Sequence, residues 1–165
     1  MKKPAAGGRS LKLVEVFSSI QGEGICLGQR QVFVRLAGCN ICCRYCDTPK
    51  AASAVWTPRR LQAVVSRLLD QRPHDAVAWT GGEPLLQARA LAPMLAWVRQ
   101  RGGRNLLETN GTLVSEFAAL APLCDVVSMD IKLPSATGRE LWSEHLEFLR
   151  AAPEKTFVKV VLTAR

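Results

Sequence analysis

Four of the six cysteines in this 165-residue chain lie within eight positions: Cys39, Cys42, Cys43 and Cys46. The spacing Cys39-x-x-x-Cys43-x-x-Cys46 puts three thiolates in one loop, enough to hold three irons of a [4Fe–4S] cluster. An iron left without a protein ligand follows the logic by which catalytic metal sites keep one position open for substrate. Structural zinc is the competing chemistry and needs four closed ligands, the last from Cys42, Cys26, Cys124, His74 or His145. Paired CxxC knuckles set apart by a long spacer, the usual zinc pattern, are absent from the sequence. Cys42 is either a further ligand or a bystander.

These cysteines need elements to hold them. Leu11 to Ile20 reads as a strand leading into the loop Gln21-Gly22-Glu23-Gly24, and Val32 to Leu36 as a short β-rich run ending at Gly38 and the cysteines. Pro58 to Arg72 is a helix with Leu61, Val64, Val65, Leu68 and Leu69 on one apolar face and Thr57 placed to start it. Ala76 to Thr80 is a strand closed by Gly81-Gly82. Gln87 to Arg101 is a helix stopped by Gly102, in which Pro93 demands a first turn or a kink. Asn105 to Thr109, Val126 to Ile131 and Thr156 to Thr163 are strands, separated by helices over Ser115 to Leu120 and Arg139 to Ala152.

From Val32 onward strands and helices alternate, which predicts an α/β fold with a parallel sheet and right-handed crossovers. Cys39–Thr48, Thr80–Glu83, Glu108–Thr112 and Asp130–Lys132 each fall at or just past the C-terminal end of a strand. That rim is where α/β sheets and barrels bind ligands.

Composition agrees with a single globular domain: 48% of residues are hydrophobic and 22% charged, which excludes disorder over most of the length. No apolar run approaches the ~20 residues that cross a bilayer. Met1 to Ser10 carries Lys2, Lys3 and Arg9 with no apolar core behind them, so a cytoplasmic location with reduced cysteines is expected. The net charge of +8 fits a nucleic-acid surface, an anionic small substrate or simply a solvated face. The basic residues are scattered apart from Arg59–Arg60 and the Arg99, Arg101, Arg104 group, and no aromatics interleave with them to stack bases. Neither a membrane nor a direct nucleic-acid partner is expected.

The run Cys39-Asn40-Ile41-Cys42-Cys43-Arg44-Tyr45-Cys46 resembles the CxxxCxxC signature of radical S-adenosylmethionine enzymes, and Thr80-Gly81-Gly82-Glu83-Pro84 resembles their GGEP motif. Three further stretches, Phe17 to Gly24, Val32 to Asn40 and Cys46-Asp47-Thr48, are similar to the 7-carboxy-7-deazaguanine synthase family, as are Glu108 to Thr112 and Ser128 to Lys132. The likeness runs from about Glu15 to Leu162.

The resemblance implies a partial (β/α)6 barrel that converts 6-carboxy-5,6,7,8-tetrahydropterin to 7-carboxy-7-deazaguanine and ammonia, a carbon–nitrogen lyase reaction of queuosine and deazapurine biosynthesis. Implied cofactors are a [4Fe–4S] cluster on Cys39, Cys43 and Cys46, S-adenosyl-L-methionine, and Mg2+ on Thr48. The nucleoside would be lined by Tyr45, Cys46, Asp47, Gly82, Glu83, Ser128, Asp130 and Lys132. The substrate would be met by Ile20, Gln21, Gly22, Glu23, Arg35 and Thr80. A planar, permanently charged arginine suits a carboxylate, although Arg35 could equally sit in a surface ion pair. The loop from Ile20 to Glu23 could serve a guanine-like edge or be a plain turn. Lys132 could instead face solvent.

An electron donor such as flavodoxin and a homodimer are further implications. The expected organisation is a flexible segment of residues 1–10 before a domain of residues 11–165 that lacks its last repeat, since Arg165 follows directly on the last strand. A glycyl-radical-enzyme activase shares the cluster and GGEP motifs, and an inactive truncated iron–sulfur domain or a tRNA-binding module are the non-enzymatic alternatives.

Overall fold

The computed structural model describes residues 10–49 and 51–162. One seven-stranded sheet runs in the order β3-β1-β2-β4-β5-β6-β7. Strands β2 (Arg30–Leu36), β4 (Ala76–Gly81), β5 (Asn105–Thr109), β6 (Val126–Ile131) and β7 (Thr156–Val160) are mutually parallel. β1 (Leu11–Ile20) pairs antiparallel with β2 and carries the three-residue β3 (Ala54–Trp56) on its other side. β3 pairs with β1 but is too short to leave a periodic trace in the sequence.

Helices α1 (Pro58–Gln71), α2 (Ala88–Gln100), α3 (Val114–Leu120), α4 (Pro134–Thr137) and α5 (Trp142–Ala151) supply the crossovers. The Thr57 side chain accepts a hydrogen bond from the Arg60 N–H at the start of α1, with Pro58 at the first position, where its missing N–H costs nothing. Pro93 lies within α2, behind a 3-10 turn at Pro84–Gln87. The last helix starts at Trp142 rather than Arg139, because Gly138 adopts φ 71° and closes the short α4 before it. β7 ends at Val160; the expected extension to Thr163 reaches outside the described residues, as does the expected flexible start except for Ser10.

Strand alternation divides the side chains into two layers. Leu36, Val77, Trp79, Leu107, Val127 and Met129 belong to the main core, which α2, α3 and α5 join through Leu91, Leu95, Phe117 and Phe148. The opposite face carries a small apolar cluster of Phe33, Ala76, Ala78, Leu106 and Cys26, with polar side chains that include Arg35, Thr80, Glu108 and Asp130 beside it. The sheet curves around this second face without closing: β3 and β7 stand at its two ends.

Candidate functional site

Because β2, β4, β5 and β6 are parallel, their C-terminal ends share one rim, and the concave face below it is a cavity of about 600 Å3. Cys39, Cys43 and Cys46 line it on the rim side, while Cys42 is exposed and does not. The cysteine loop is tied down at several points. Arg44 N–H donates to the Ala136 carbonyl at 3.0 Å, and the Asn40 amide donates to Thr112 Oγ1 at 2.8 Å. Asn110 Nδ2 donates to Asn40 Oδ1 at 2.9 Å and to Cys39 Sγ at 3.8 Å.

Tyr45, Cys46, Asp47, Thr48, Gly82, Asp130 and Lys132 line the same cavity. Lys132 does not face solvent: its side chain is 14% exposed, its Nζ is 3.2 Å from Asp130 and it stands 5.5 Å over the Tyr45 ring. Burial pulls that ammonium down, but Asp130 and Tyr45 outweigh it and the net shift is upward, so the group stays charged. Gly82 cannot be larger, since a Cβ there would stand 2.1 Å from the Gly38 carbonyl oxygen and 3.1 Å from Cys39 Cβ.

At the opposite end the antiparallel course of β1 has a consequence the linear sequence hides. Its C-terminal end pairs with the start of β2, so Ile20 to Glu23 enter from beneath the cavity, not from the cysteine rim. The loop then reaches β7, where Gly24 (φ 63°) lies against the Phe157 ring and Glu23 Oε2 is 2.6 Å from Lys159 Nζ. Gln21, 6% exposed, donates to Glu108 Oε1 at 2.9 Å, and Thr80 Oγ1 donates to Glu108 Oε2 at 2.9 Å. A carboxylate, an amide and a hydroxyl therefore meet on one inner wall.

Arg35 joins both readings offered by the sequence. It lines the cavity, yet its Nε donates to Glu15 Oε1 at 2.8 Å in a partly exposed ion pair. Its Nη1 lies 3.5 Å from Thr48 Oγ1, which in turn is 3.3 Å from Asp47 Oδ1.

Two expected contact residues are not brought to the cavity. Glu83 follows the Gly82 turn, where its N–H donates to the Gly38 carbonyl, and its side chain packs fully buried beneath the rim. It accepts from Leu85 N–H at 3.0 Å, Asn110 N–H at 2.8 Å and Thr109 Oγ1 at 2.9 Å. Burial pushes its carboxyl up to about 7, against those donors. Ser128 lies one inward position before Asp130, 2% exposed, its hydroxyl without a partner among the described residues. Conversely, Glu108 and Lys159 line the cavity and were not among the expected site residues. Each is the one charged residue of its strand, the signal that could have found it.

The thiols suit an iron–sulfur cluster better than zinc. Among the described residues, no three His, Cys, Asp or Glu side chains converge as a single ion requires. Cys26 and Cys124 are buried in the two core clusters, His74 bonds Ser18, and His145 bonds the Asn110 carbonyl. A cubane spreads its sulfur ligands around a larger body, and three thiols ranged on one cavity wall are that kind of donor set. Burial pushes the Cys39 and Cys43 thiols up, so loading with iron must displace protons.

Comparison with known proteins gives the same direction. The model of the radical SAM superfamily matches residues 33–165. The chain is 39% identical to 7-carboxy-7-deazaguanine synthase of Geobacter sulfurreducens, over 98% of this chain and 72% of that protein. It is 34% identical to the protein of that name from Thermococcus kodakarensis, over 92% of this chain and 73% of the relative. With the Methanothermobacter thermautotrophicus protein of that name the identity is 45%, covering 73% of this chain but 49% of the relative. The crystal structure of QueE from Escherichia coli superposes with a TM-score of 0.63 at 24% identity, over 84% of this chain and 67% of the other, a likeness of fold.

Proposed function

The chain belongs to the 7-carboxy-7-deazaguanine synthase family of the radical SAM superfamily, and from that premise we propose that it converts 6-carboxy-5,6,7,8-tetrahydropterin to 7-carboxy-7-deazaguanine and ammonia. The observation that carries the reading is the shared cavity. Three cluster-type thiols line the wall that also holds Arg35, and Gln21, Glu108 and Thr80 line the same cavity.

The [4Fe–4S] cluster, held by Cys39, Cys43 and Cys46, would supply with S-adenosyl-L-methionine a carbon-centred radical that takes a hydrogen atom from the pterin. The protein's own residues bind, orient and exclude water. Gly82, packed on Gly38 beside Cys39, lines the cavity with backbone that can meet the methionine end of the nucleoside. Tyr45, Asp47, Asp130 and Lys132 offer the stacking, accepting and donating groups that a nucleoside needs.

For the pterin, Glu108 supplies acceptor oxygens to the N–H groups of an aminopyrimidinone edge, and Gln21 and Thr80 hold that carboxylate from both sides. The Arg35 guanidinium takes the pterin carboxylate, exchanging its exposed partner Glu15 for a more enclosed one. Thr48 is the proposed Mg2+ ligand. A hydroxyl beside the Asp47 carboxylate suits an ion that keeps most of its ligands as waters and substrate oxygens. Glu83 binds no ligand in this account; it holds the 109–110 turn against the cysteine loop.

A one-electron donor of the flavodoxin type, a cytoplasmic setting and a homodimer belong to the same proposal. Val158 and Val160, exposed on β7, support the last of these. No helix among the described residues is long and apolar enough to cross a membrane. The test is an anaerobic reaction of iron-reconstituted protein with S-adenosyl-L-methionine, a reductant and the carboxypterin. Deazaguanine carboxylate detected by mass supports the reading. Cleavage of S-adenosyl-L-methionine with the pterin recovered unchanged refutes it and leaves an activase, whereas no cleavage refutes it and leaves an inactive domain.

A further inference from the structure

Asn110 is the most heavily constrained polar residue at the rim. It is 3% exposed, and each of its polar groups is engaged. Its N–H donates to Glu83 Oε2 at 2.8 Å. Its carbonyl accepts from His145 Nε2 at 3.1 Å, which places the imidazole proton on that nitrogen. Its side-chain oxygen accepts from the Thr112 N–H at 3.1 Å and from Thr112 Oγ1 at 2.6 Å. With the oxygen so occupied the amide cannot flip, and Nδ2 is aimed at Asn40 Oδ1 and Cys39 Sγ, at 2.9 and 3.8 Å.

Two buried side chains from different elements, Glu83 after β4 and His145 on α5, thus clamp the backbone of one residue whose amide points at one cysteine sulfur. Simple packing of a turn needs no such aim. A thiolate ligand of an iron–sulfur cluster carries negative charge that increases when the cluster accepts an electron. An N–H donor at that sulfur favours the reduced form, and hydrogen bonds to sulfur are among the factors that set cluster potentials.

We propose that Asn110 is a positioning residue that donates a hydrogen bond to the Cys39 thiolate and raises the reduction potential of the cluster, with Glu83 and His145 holding it in place. This rests on the reading of Cys39, Cys43 and Cys46 as cluster ligands. The residue acts on the ease of electron entry and not on the pterin.

The experiment compares anaerobically reconstituted wild type, Asn110→Ala and Asn40→Ala. Each is read by iron content, by the EPR signal of the reduced cluster and by its midpoint potential in a dye-mediated titration without S-adenosyl-L-methionine. Expected are equal iron contents, a clearly more negative potential in Asn110→Ala, and a smaller shift in Asn40→Ala, which keeps the donor to sulfur. A second measurement needs no variant. Wild-type protein carrying 15N-asparagine should show, by pulsed EPR of the reduced cluster, a coupling to a side-chain nitrogen. An unshifted potential in Asn110→Ala, an equal shift in Asn40→Ala, or no nitrogen coupling in the wild type overturns the proposal while the family reading stands. Wild type that holds no cluster overturns both.

Discussion

Raising the pH from 4.5 to 7 should weaken this fold through one buried side chain, Glu83. In the unfolded chain its carboxyl loses a proton near 4.5, whereas in the folded protein burial pushes it up to about 7. The folded state therefore retains a proton that the unfolded chain has already released. Its contribution to stability is full below pH 4.5, drains away as the pH rises through that window, and is gone above about 7. At ~1.4 kcal/mol per pH unit the window is worth about 3 kcal/mol. Glu83→Gln carries no titrating proton and removes the slope. It also brings a fixed cost of about 1–3 kcal/mol, because its NH2 must face one of the N–H donors now satisfied by carboxylate oxygens, Leu85 or Asn110. The assay is urea unfolding of iron-free, reduced protein, followed by circular dichroism from pH 4.5 to 8 for both proteins. The wild-type advantage over Glu83→Gln should shrink by about 3 kcal/mol across the window. A difference that stays flat or grows with pH refutes the argument, because the carboxylate would then be welcome as an anion beneath the rim.

Arg35→Ala should raise the KM for the carboxypterin at least tenfold while reductive cleavage of S-adenosyl-L-methionine continues, and stability should change by less than about 1 kcal/mol because the Glu15 pair is exposed; parallel loss of both activities would make Arg35 structural. In Gly24→Ala the new methyl would stand 2.3 Å from Phe157 Cε2 at a φ of 63°, so the loop or the Phe157 ring must shift. Chemical denaturation should show a loss of about 1–3 kcal/mol, and calorimetry should show weakened pterin binding. Cys43→Ala should abolish retention of the cluster's visible absorbance, whereas Cys42→Ala, altering an exposed side chain outside the cavity, should keep it.

Much of this protein was legible in order along the chain. Apolar runs of five or six residues separated by amphipathic helices state a parallel α/β sheet without reference to anything distant. β5 and β6 appear at the bounds read from the sequence, Asn105–Thr109 and Val126–Ile131. The spacing of Cys39, Cys43 and Cys46 marks them as candidate cluster ligands, because thiolates gathered in one loop are a local property of the sequence. Pairing across the sheet decided the rest. The antiparallel β1 delivers Gln21 from beneath and sets it on Glu108, 87 positions away. Glu83, read as a ligand contact from its place beside Gly82, has its side chain fully buried among donors that arrive from elsewhere in the chain, Thr109 and the Asn110 N–H. Lys159 finds Glu23 across 136 residues. Residue type and short spacing specify what a group can do; which groups meet depends on strand order and direction, and those are settled only when all seven strands are burying their apolar faces together.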